Sequence, residues 1–479
     1  MAQAPRRRSG PRLWAGLALA RAVGSLSRRS GRGGGTTLPG RLLLRLDPAA
    51  IARLGARLTD GSTVISATNG KTTTAGMLAG ALREAGRNPV HNRAGSNMTW
   101  GVATALAAQS GTEGLFEADE AWLPRIVGEL NPRLIVLANL FRDQLDRYGE
   151  LEHLADEWAE MVEARQSAAG EKNAGETGLV LNADDPLVAD LGRDKQLERR
   201  PGVTYFGIDD ASQALPGLQH AHDAKHCRRC GAPYEYARAF VGHLGHYSCP
   251  ECGADRPEPD VVATRIELDG MRGSHVEVAT PNGPLSFDLP LPGLYNVYNA
   301  LAALAAALRL DVTAADAVRA LERVEAVFGR VETVAVADCA VSILLIKNPA
   351  GANEVLRTLG LESERHDTPE AGVHLWIGLN DKIADGRDVS WIWDADFELL
   401  DGAVERVTCA GTRAAEMAVR LKYAGVPSER IVVRSEIEAS LNEAVAAASG
   451  QLFALPTYTA LIELRTMLAE RGLAKAYWA

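Results

Sequence analysis

The sequence predicts an α/β protein with two units, each a largely parallel sheet flanked by helices, and a cysteine-bearing β insertion in the first unit. Three observations carry that reading. Short β-branched runs alternate with alanine-rich helical stretches. One run, STVISA (62–67), passes through T-N-G-K-T directly into the helical stretch TTTAGMLAGALREAG (72–86). Two C-x₂-C pairs fall inside residues 212–290, where alternating segments such as VVATRIELDG and GSHVEVAT carry antiparallel strand character.

At 479 residues the chain exceeds one ordinary core, so two or three domains are expected. With 46% apolar and 23% charged residues it reads as soluble and globular rather than disordered. A net charge of −10 argues against wholesale nucleic-acid binding, and no nucleic-acid partner is expected. No stretch reaches the roughly 18 apolar residues a spanning helix needs.

The elements follow in order. The N-terminus carries arginines and then an apolar run, Leu13 to Ala20. Arg21 interrupts that run and no small-residue cleavage site follows, which argues against a signal peptide. A basic amphipathic helix is expected instead, packed on the body or lying on an anionic membrane surface. GRGGGTTLPG (31–40) reads as a linker. After the first strand and helix come the strands RLIVLANL (133–140), GLVLNADDP (178–186) and VTYFGI (203–208), then the cysteine region and the helix NVYNALAALAAALRL (296–310). A second unit starts near 332, with strands VSILLI, VHLWIGL, RVTCAG, RIVVR and QLFALPTY. The expected division is 1–40, a basic segment and linker; 41–331, a nucleotide-binding domain with an insertion at 222–256; and 332–479, a Rossmann-like α/β domain.

A strand, a T-N-G-K-T turn and a helix supply what a polyphosphate needs: backbone N–H groups converging on a helix N-terminus. Lys71 is a point charge for the outer phosphates and Thr72 a hydroxyl ligand for Mg²⁺, within a set formed by Thr68, Asn69, Gly70, Lys71, Thr72 and Thr73. In the usual spacing a glycine stands where this chain has Ile65. LFEADEAWL (115–123) offers Glu117, Asp119 and Glu120, with Glu117 the candidate Mg²⁺ ligand. Asn139, Arg142, Asp143, Gln144 and Asp146 follow the strand 133–140, at the end where open α/β sheets bind ligands. Asn296 and Asn299 open an apolar helix where they can meet a base or ribose, and Arg330 in a glycine turn can reach a phosphate. Asn92, Arg93, Ser96 and Asn97, in HNRAGSNMTWG, are candidates for contacting substrate.

Cys227, Cys230, Cys249 and Cys252 form two C-x₂-C knuckles 18 residues apart, each followed by glycine. Four thiolates at this spacing make a closed tetrahedral site, so a structural Zn²⁺ is expected, with the knuckle glycines freeing backbone N–H groups to approach sulfur. His226, His243 and His246 read as bystanders, and Cys339 and Cys409 as inert core residues.

The order of ATNGKTT, E-A-D-E, N-x-x-x-D-x-x-D, L-N-A-D-D-P, P-G-x-x-N-V-x-N-x-L-A-A, G-R-x-E and N-P resembles the Mur ligase family over roughly residues 40–470. The resemblance implies a Mur ligase-like central P-loop domain, whose loop lacks the early glycine. It also implies use of ATP to form an acyl phosphate in peptidoglycan synthesis. Two departures point to a branch that adds ammonia rather than an amino acid. Gln144 stands where the family has a histidine near Mg²⁺, and Leu344 and Lys347 replace the aspartate and histidine of the second nucleotide motif.

That branch amidates the α-carboxylate of D-isoglutamate in lipid II, using ammonia from a GatD-like glutamine amidotransferase partner in a heterodimer. Cys339 and Cys409 lack a nucleophile setting, so a glutaminase must be a second chain. The resemblance further implies that an aspartate of the C-terminal domain completes the partner's Cys-His pair. Candidates are Asp385, Asp388, Asp394 and Asp396, with Asp388 ranked first and Asp394 second. The chain is expected in the cytoplasm, with peripheral contact at the inner face of the membrane. An amino-acid-adding ligase is the alternative, disfavoured by Gln144. A catalytically silent zinc-ribbon scaffold is disfavoured by the intact Lys71, Thr72 and Glu117.

Overall fold

A computed structural model describes residues 11–29, 37–92, 96–143, 151–169, 177–220, 222–325, 332–363, 372–448 and 450–474. Two sheets organise the chain. The first has nine strands in the order β11-β10-β9-β6-β5-β4-β1-β3-β2. These are β1 (Ser62–Ser66), β2 (Val90–His91), β3 (Gly114–Glu117), β4 (Leu134–Leu137), β5 (Gly178–Asn182), β6 (Val203–Ile208), β9 (Val261–Leu268), β10 (Ser274–Thr280) and β11 (Gly283–Leu289). Strands β2 to β6 and β9 run parallel to β1; β10 alone is reversed against its neighbours β9 and β11.

Strand alternation explains why this sheet is buried on both faces. Ile65, Leu115, Val136 and Val180 point into one core with the helices Lys71–Glu84 and Leu294–Arg309. Val64, Phe116, Ile135, Leu137, Leu179 and Leu181 point into the other. There they meet the helices Leu38–Leu46, Thr99–Ala108, Leu123–Leu130 and Leu151–Ala169.

The N-terminal helix, Pro11–Arg29, packs on the body: Leu13, Leu17 and Ala20 are buried in that second core. Arg21 Nε donates to Ala107 O at 2.9 Å. Residues 38–40 of the expected linker already belong to the helix Leu38–Leu46, because Pro39 suits a first helical turn and Gly40 lies against the backbone of Trp100.

The second sheet has six strands, β12-β13-β17-β14-β15-β16. They span Glu332–Val336 (β12), Cys339–Ile343 (β13), Val373–Gly378 (β14), Val404–Ala410 (β15), Ile431–Val433 (β16) and Gln451–Pro456 (β17). All neighbours are parallel except β12, which pairs antiparallel with β13 at the edge. Leu375 and Ile377 enter one core and Trp376 the other, again with period two. Between the main strands, β7 (Glu235–Val241) and β8 (Leu244–Ser248) form a separate hairpin beside the four cysteines. The predicted α/β class and its parallel strands are those observed.

Candidate active site

The loop between β1 and its helix is held rigid from behind. Asn139, just beyond β4, brackets Asn69: its Oδ1 accepts from Asn69 N at 2.9 Å and its Nδ2 donates to Asn69 O at 3.0 Å. Thr68 Oγ1 accepts from Phe141 N at 3.0 Å and Thr68 N donates to Asn139 O at 3.0 Å. Gly70 then turns the chain at φ +89°. A Cβ there would lie 1.9 Å from Asn299 Oδ1, so both the backbone angle and the neighbour demand glycine. Asn299 Oδ1 also accepts from Thr74 Oγ1 at 3.3 Å, and its Nδ2 donates to Asn296 Oδ1 at 3.1 Å. The two asparagines thus buttress the start of the loop helix.

The acidic run divides its work at the end of β3. Thr72 Oγ1 donates to Glu117 Oε2 at 2.8 Å, while Lys71 Nζ reaches Glu120 Oε2 at 2.7 Å. Burial opposes charge on both members of the second pair. The Glu120 carboxylate, backed by Asp119 and Asp143, nonetheless holds Lys71 above the usual lysine range. Lys71 and Lys347 in turn hold Glu120 below the usual carboxylate range. Glu117 Oε1 is buried with no hydrogen-bond partner, and His91 Nε2 lies 3.7 Å from it. A hydroxyl and a carboxylate with an uncommitted oxygen, at a helix N-terminus, form an oxygen donor set that suits Mg²⁺.

The segment just beyond β13 meets this loop. Lys347 Nζ donates to Thr68 O at 3.2 Å and forms an ion pair with Asp143. Asn348 and Asn69 exchange amides, Nδ2 to Oδ1 at 3.1 and 3.0 Å. Arg142 binds Asp223 and lies 3.3 Å from Asp394. The cleft so enclosed has Asn69, Gly70 and Thr73 at one end and Phe141, Tyr298 and Leu345 among its apolar walls.

Two comparisons of the whole chain settle its lineage. The family described as "MurT ligase C-terminal" matches residues 345–461, and "Mur ligase middle domain" matches 65–249. A Streptococcus pneumoniae protein named "Lipid II isoglutaminyl synthase (glutamine-hydrolyzing) subunit MurT" is 33% identical over 96% of this chain and 98% of its own length. The chain belongs to the MurT family.

A Staphylococcus aureus protein of the same name is 32% identical over 95% of this chain and 98% of its own. Among solved structures, a pseudomurein peptide ligase type C from Methanothermus fervidus has a TM-score of 0.64 at 22% identity, covering 95% of this chain and 88% of its own. MurF from Acinetobacter baumannii has a TM-score of 0.63 at 18% identity, covering 90% and 80% respectively. These structures share the Mur ligase fold.

Within this MurT-family frame the predicted residues separate. Thr68, Asn69, Gly70, Lys71, Thr72, Thr73, Glu117, Asn139, Asn296 and Asn299 come together around one loop. Asn92 turns inward: its Nδ2 donates to Ser96 O and Glu117 O, both at 2.9 Å, and its Oδ1 accepts from Glu117 N at 2.8 Å. It fastens β2 to the end of β3, beside the site. Ser96 is buried, and Asn97 O accepts from Asp119 N at 2.9 Å. Arg93, Gln144, Asp146 and Arg330 lie outside the described residues.

The four aspartates of the C-terminal stretch differ sharply. Asp385 accepts from Thr459 N at 2.7 Å and holds a helix start. Asp396 accepts from Asn353 Nδ2 at 2.7 Å and lies 2.6 Å from His220 Nδ1. Asp394 faces Arg142. Asp388 is exposed and accepts from Ser390 N at 2.8 Å, which holds its carboxyl below the usual range.

The cysteine cluster fits a tetrahedral ion. All four sulfurs lie within 4.8 Å of one another, with Cys227–Cys252 at 3.6 Å and Cys230–Cys249 at 3.4 Å. Zn–S bonds of about 2.3 Å in a tetrahedron require sulfurs about 3.8 Å apart. The knuckle glycines turn the chain at φ +78° and +73°, and the backbone N–H groups of Ala232 and Ala254 that follow them bond Cys230 and Cys252. The N–H groups of Gly231 and Gly253 themselves donate to the carbonyls of Cys227 and Cys249, at 2.8 and 3.0 Å. The hairpin tip was not legible from spacing: Val241 and Leu244 form part of the nucleotide cleft's wall, and His243 packs 4.7 Å from Phe141.

Proposed function

We propose that this chain is the ATP-dependent synthetase subunit that amidates the α-carboxylate of D-isoglutamate in lipid II, giving D-isoglutamine. The observation that carries the reading is the near full-length identity to MurT proteins named as lipid II isoglutaminyl synthase subunits. The substrate carboxylate attacks the terminal phosphorus of ATP and ADP leaves. Ammonia then displaces phosphate from the resulting acyl phosphate and forms the amide.

The chain's own groups suit the first step. The N-terminus of the helix Lys71–Glu84 and the Lys71 ammonium oppose the negative charge of the phosphates. Lys347 brings a second cation from the other domain. Thr72 and Glu117 would hold Mg²⁺, which when bound neutralises charge on the transferring phosphate. The cysteine cluster would hold Zn²⁺ as a structural ion, since four thiolates leave no open position.

Ammonia is supplied by a GatD-like glutaminase in a second subunit, a reading supported by the relatives' name as one subunit of a glutamine-hydrolysing synthase. We place the encounter with a lipid-linked substrate at the inner face of the membrane, reached from the side. Among the described residues no helix is long and apolar enough to cross. We also retain the division at about residue 332 between the ATP-binding and C-terminal domains.

The test is reconstitution with lipid II, ATP and Mg²⁺, using ammonium alone or glutamine with the partner. ADP release with amidated lipid II is expected in both. Absence of both products under both conditions sinks the reading, and incorporation of a labelled amino acid would put an amino-acid-adding ligase in its place.

A further inference from the structure

Glu354, on the helix Pro349–Ser363, is 1% exposed, and neither of its carboxyl oxygens has a hydrogen-bond partner. Its nearest cation, Arg357 Nη1, is 4.0 Å away. That guanidinium is engaged elsewhere, donating to Phe240 O at 3.3 Å and to Gln213 O at 3.1 Å. A buried carboxyl without partners is costly unless something else satisfies it.

Its position says what would. Glu354 lines the same cleft as the nucleotide loop, and it is the only acidic side chain on that lining among the described residues. The phosphate end carries Asn69, Gly70 and Thr73. The same lining includes the apolar and aromatic side chains of Phe141, Tyr298, Leu345 and Val355. A cleft walled by apolar and aromatic side chains, with a few polar groups among them, is the kind of site that takes a nucleobase.

Resting on the ATP reading above, we propose that the Glu354 carboxyl hydrogen-bonds the amine-bearing edge of adenine and so selects the base. Burial, only partly offset by Arg357, raises this carboxyl to about 7. Its protonated form offers one donor and one acceptor side by side. Adenine presents the complement, an exocyclic N–H beside a ring nitrogen acceptor.

The test uses the full chain and measures binding of ADP and of its analogue lacking the 6-amino group. Wild type should bind ADP about tenfold or more tightly than the analogue. Glu354→Gln, which keeps one donor and one acceptor, should preserve that preference. Glu354→Leu should lose it, binding both ligands alike and weakly. Equal preference in wild type and the leucine variant, or a leucine variant weakened for both ligands with the preference intact, overturns the assignment while leaving the ATP reading standing. A wild-type chain that binds no adenine nucleotide overturns both. Should the leucine variant fail to fold, the glutamine variant still decides: loss of the preference in a folded Glu354→Gln protein also overturns it.

Discussion

Lys71 Nζ lies 2.7 Å from Glu120 Oε2, with only 10% and 6% of the two side chains exposed. A pair this buried is strongly interdependent, because removing one partner strands the other charge. Lys71→Ala should abolish ATP turnover and also destabilise the fold by about 3 kcal/mol. Adding Glu120→Gln should restore most of the melting temperature and none of the activity. Thermal melts and ADP release on the single and double variants separate the two effects.

Lys347 is the cation by which the second domain reaches the loop, through Thr68 O and Asp143. Lys347→Met should raise KM for ATP and lower kcat, each by about tenfold, and should also lower the melting temperature, because Asp143 is only 9% exposed and loses its cation. Steady-state kinetics check it; an unchanged KM and kcat would remove Lys347 from the site.

The ribbon and the nucleotide cleft share the hairpin that carries Val241 and Leu244. Purified protein should carry one zinc per chain by metal analysis. Chelation, or Cys249→Ser, should both lower the melting temperature and weaken ADP binding several-fold. Loss of zinc without any change in nucleotide affinity would show that the hairpin keeps its shape unaided.

Glu354 bears on stability as well as selection. Its carboxyl is raised from an ordinary value of 4.5 to about 7, so between these pH values the folded state holds a proton the unfolded chain has lost. Stability from this group is therefore fully present below about 4.5 and is lost as pH rises to about 7. The charged and titratable groups that face it are Arg357 and Tyr298. Glu354→Gln removes that loss and should stabilise the chain at pH 8, by on the order of 3 kcal/mol, while changing little at pH 4.5. Melts at the two pH values read the difference.

Asp388 is exposed and accepts from the backbone N–H of Ser390, whereas Asp394 faces Arg142. If Asp388 orients the histidine of the glutaminase, Asp388→Asn should impair glutamine-driven amidation at least tenfold and spare the ammonium-driven reaction. Equal loss in both assays would return the role to Asp394.

Much of this was legible in the sequence because strand and helix periods are local. The parallel strands of both sheets and the loop before Lys71 follow from runs of β-branched residues and one glycine turn. β2 escaped notice because it has two residues, and β12 because an antiparallel edge strand lacks the continuous apolar run of a central one. Glu117, Asp119 and Glu120 were visible as a group. Which of them meets Thr72 and which meets Lys71 depends on the turn that leaves β3. Glu354 gave no signal at all, since a glutamate in a helix ordinarily faces water. In the fold it is 1% exposed and lines a cleft shared with residues of the first sheet's unit.

The reciprocal amide exchange between Asn69 and Asn348 has a consequence for how the two domains part. Uncharged at both ends, it is indifferent to ionic strength and to acidity across the range where proteins survive. The Lys347–Asp143 contact beside it, 28% and 9% exposed, is screened by salt in part. Raising the salt concentration thus slackens one fastening and leaves the other as it was. Domain opening should show a salt sensitivity that levels off, with a floor set by a pair of carboxamides.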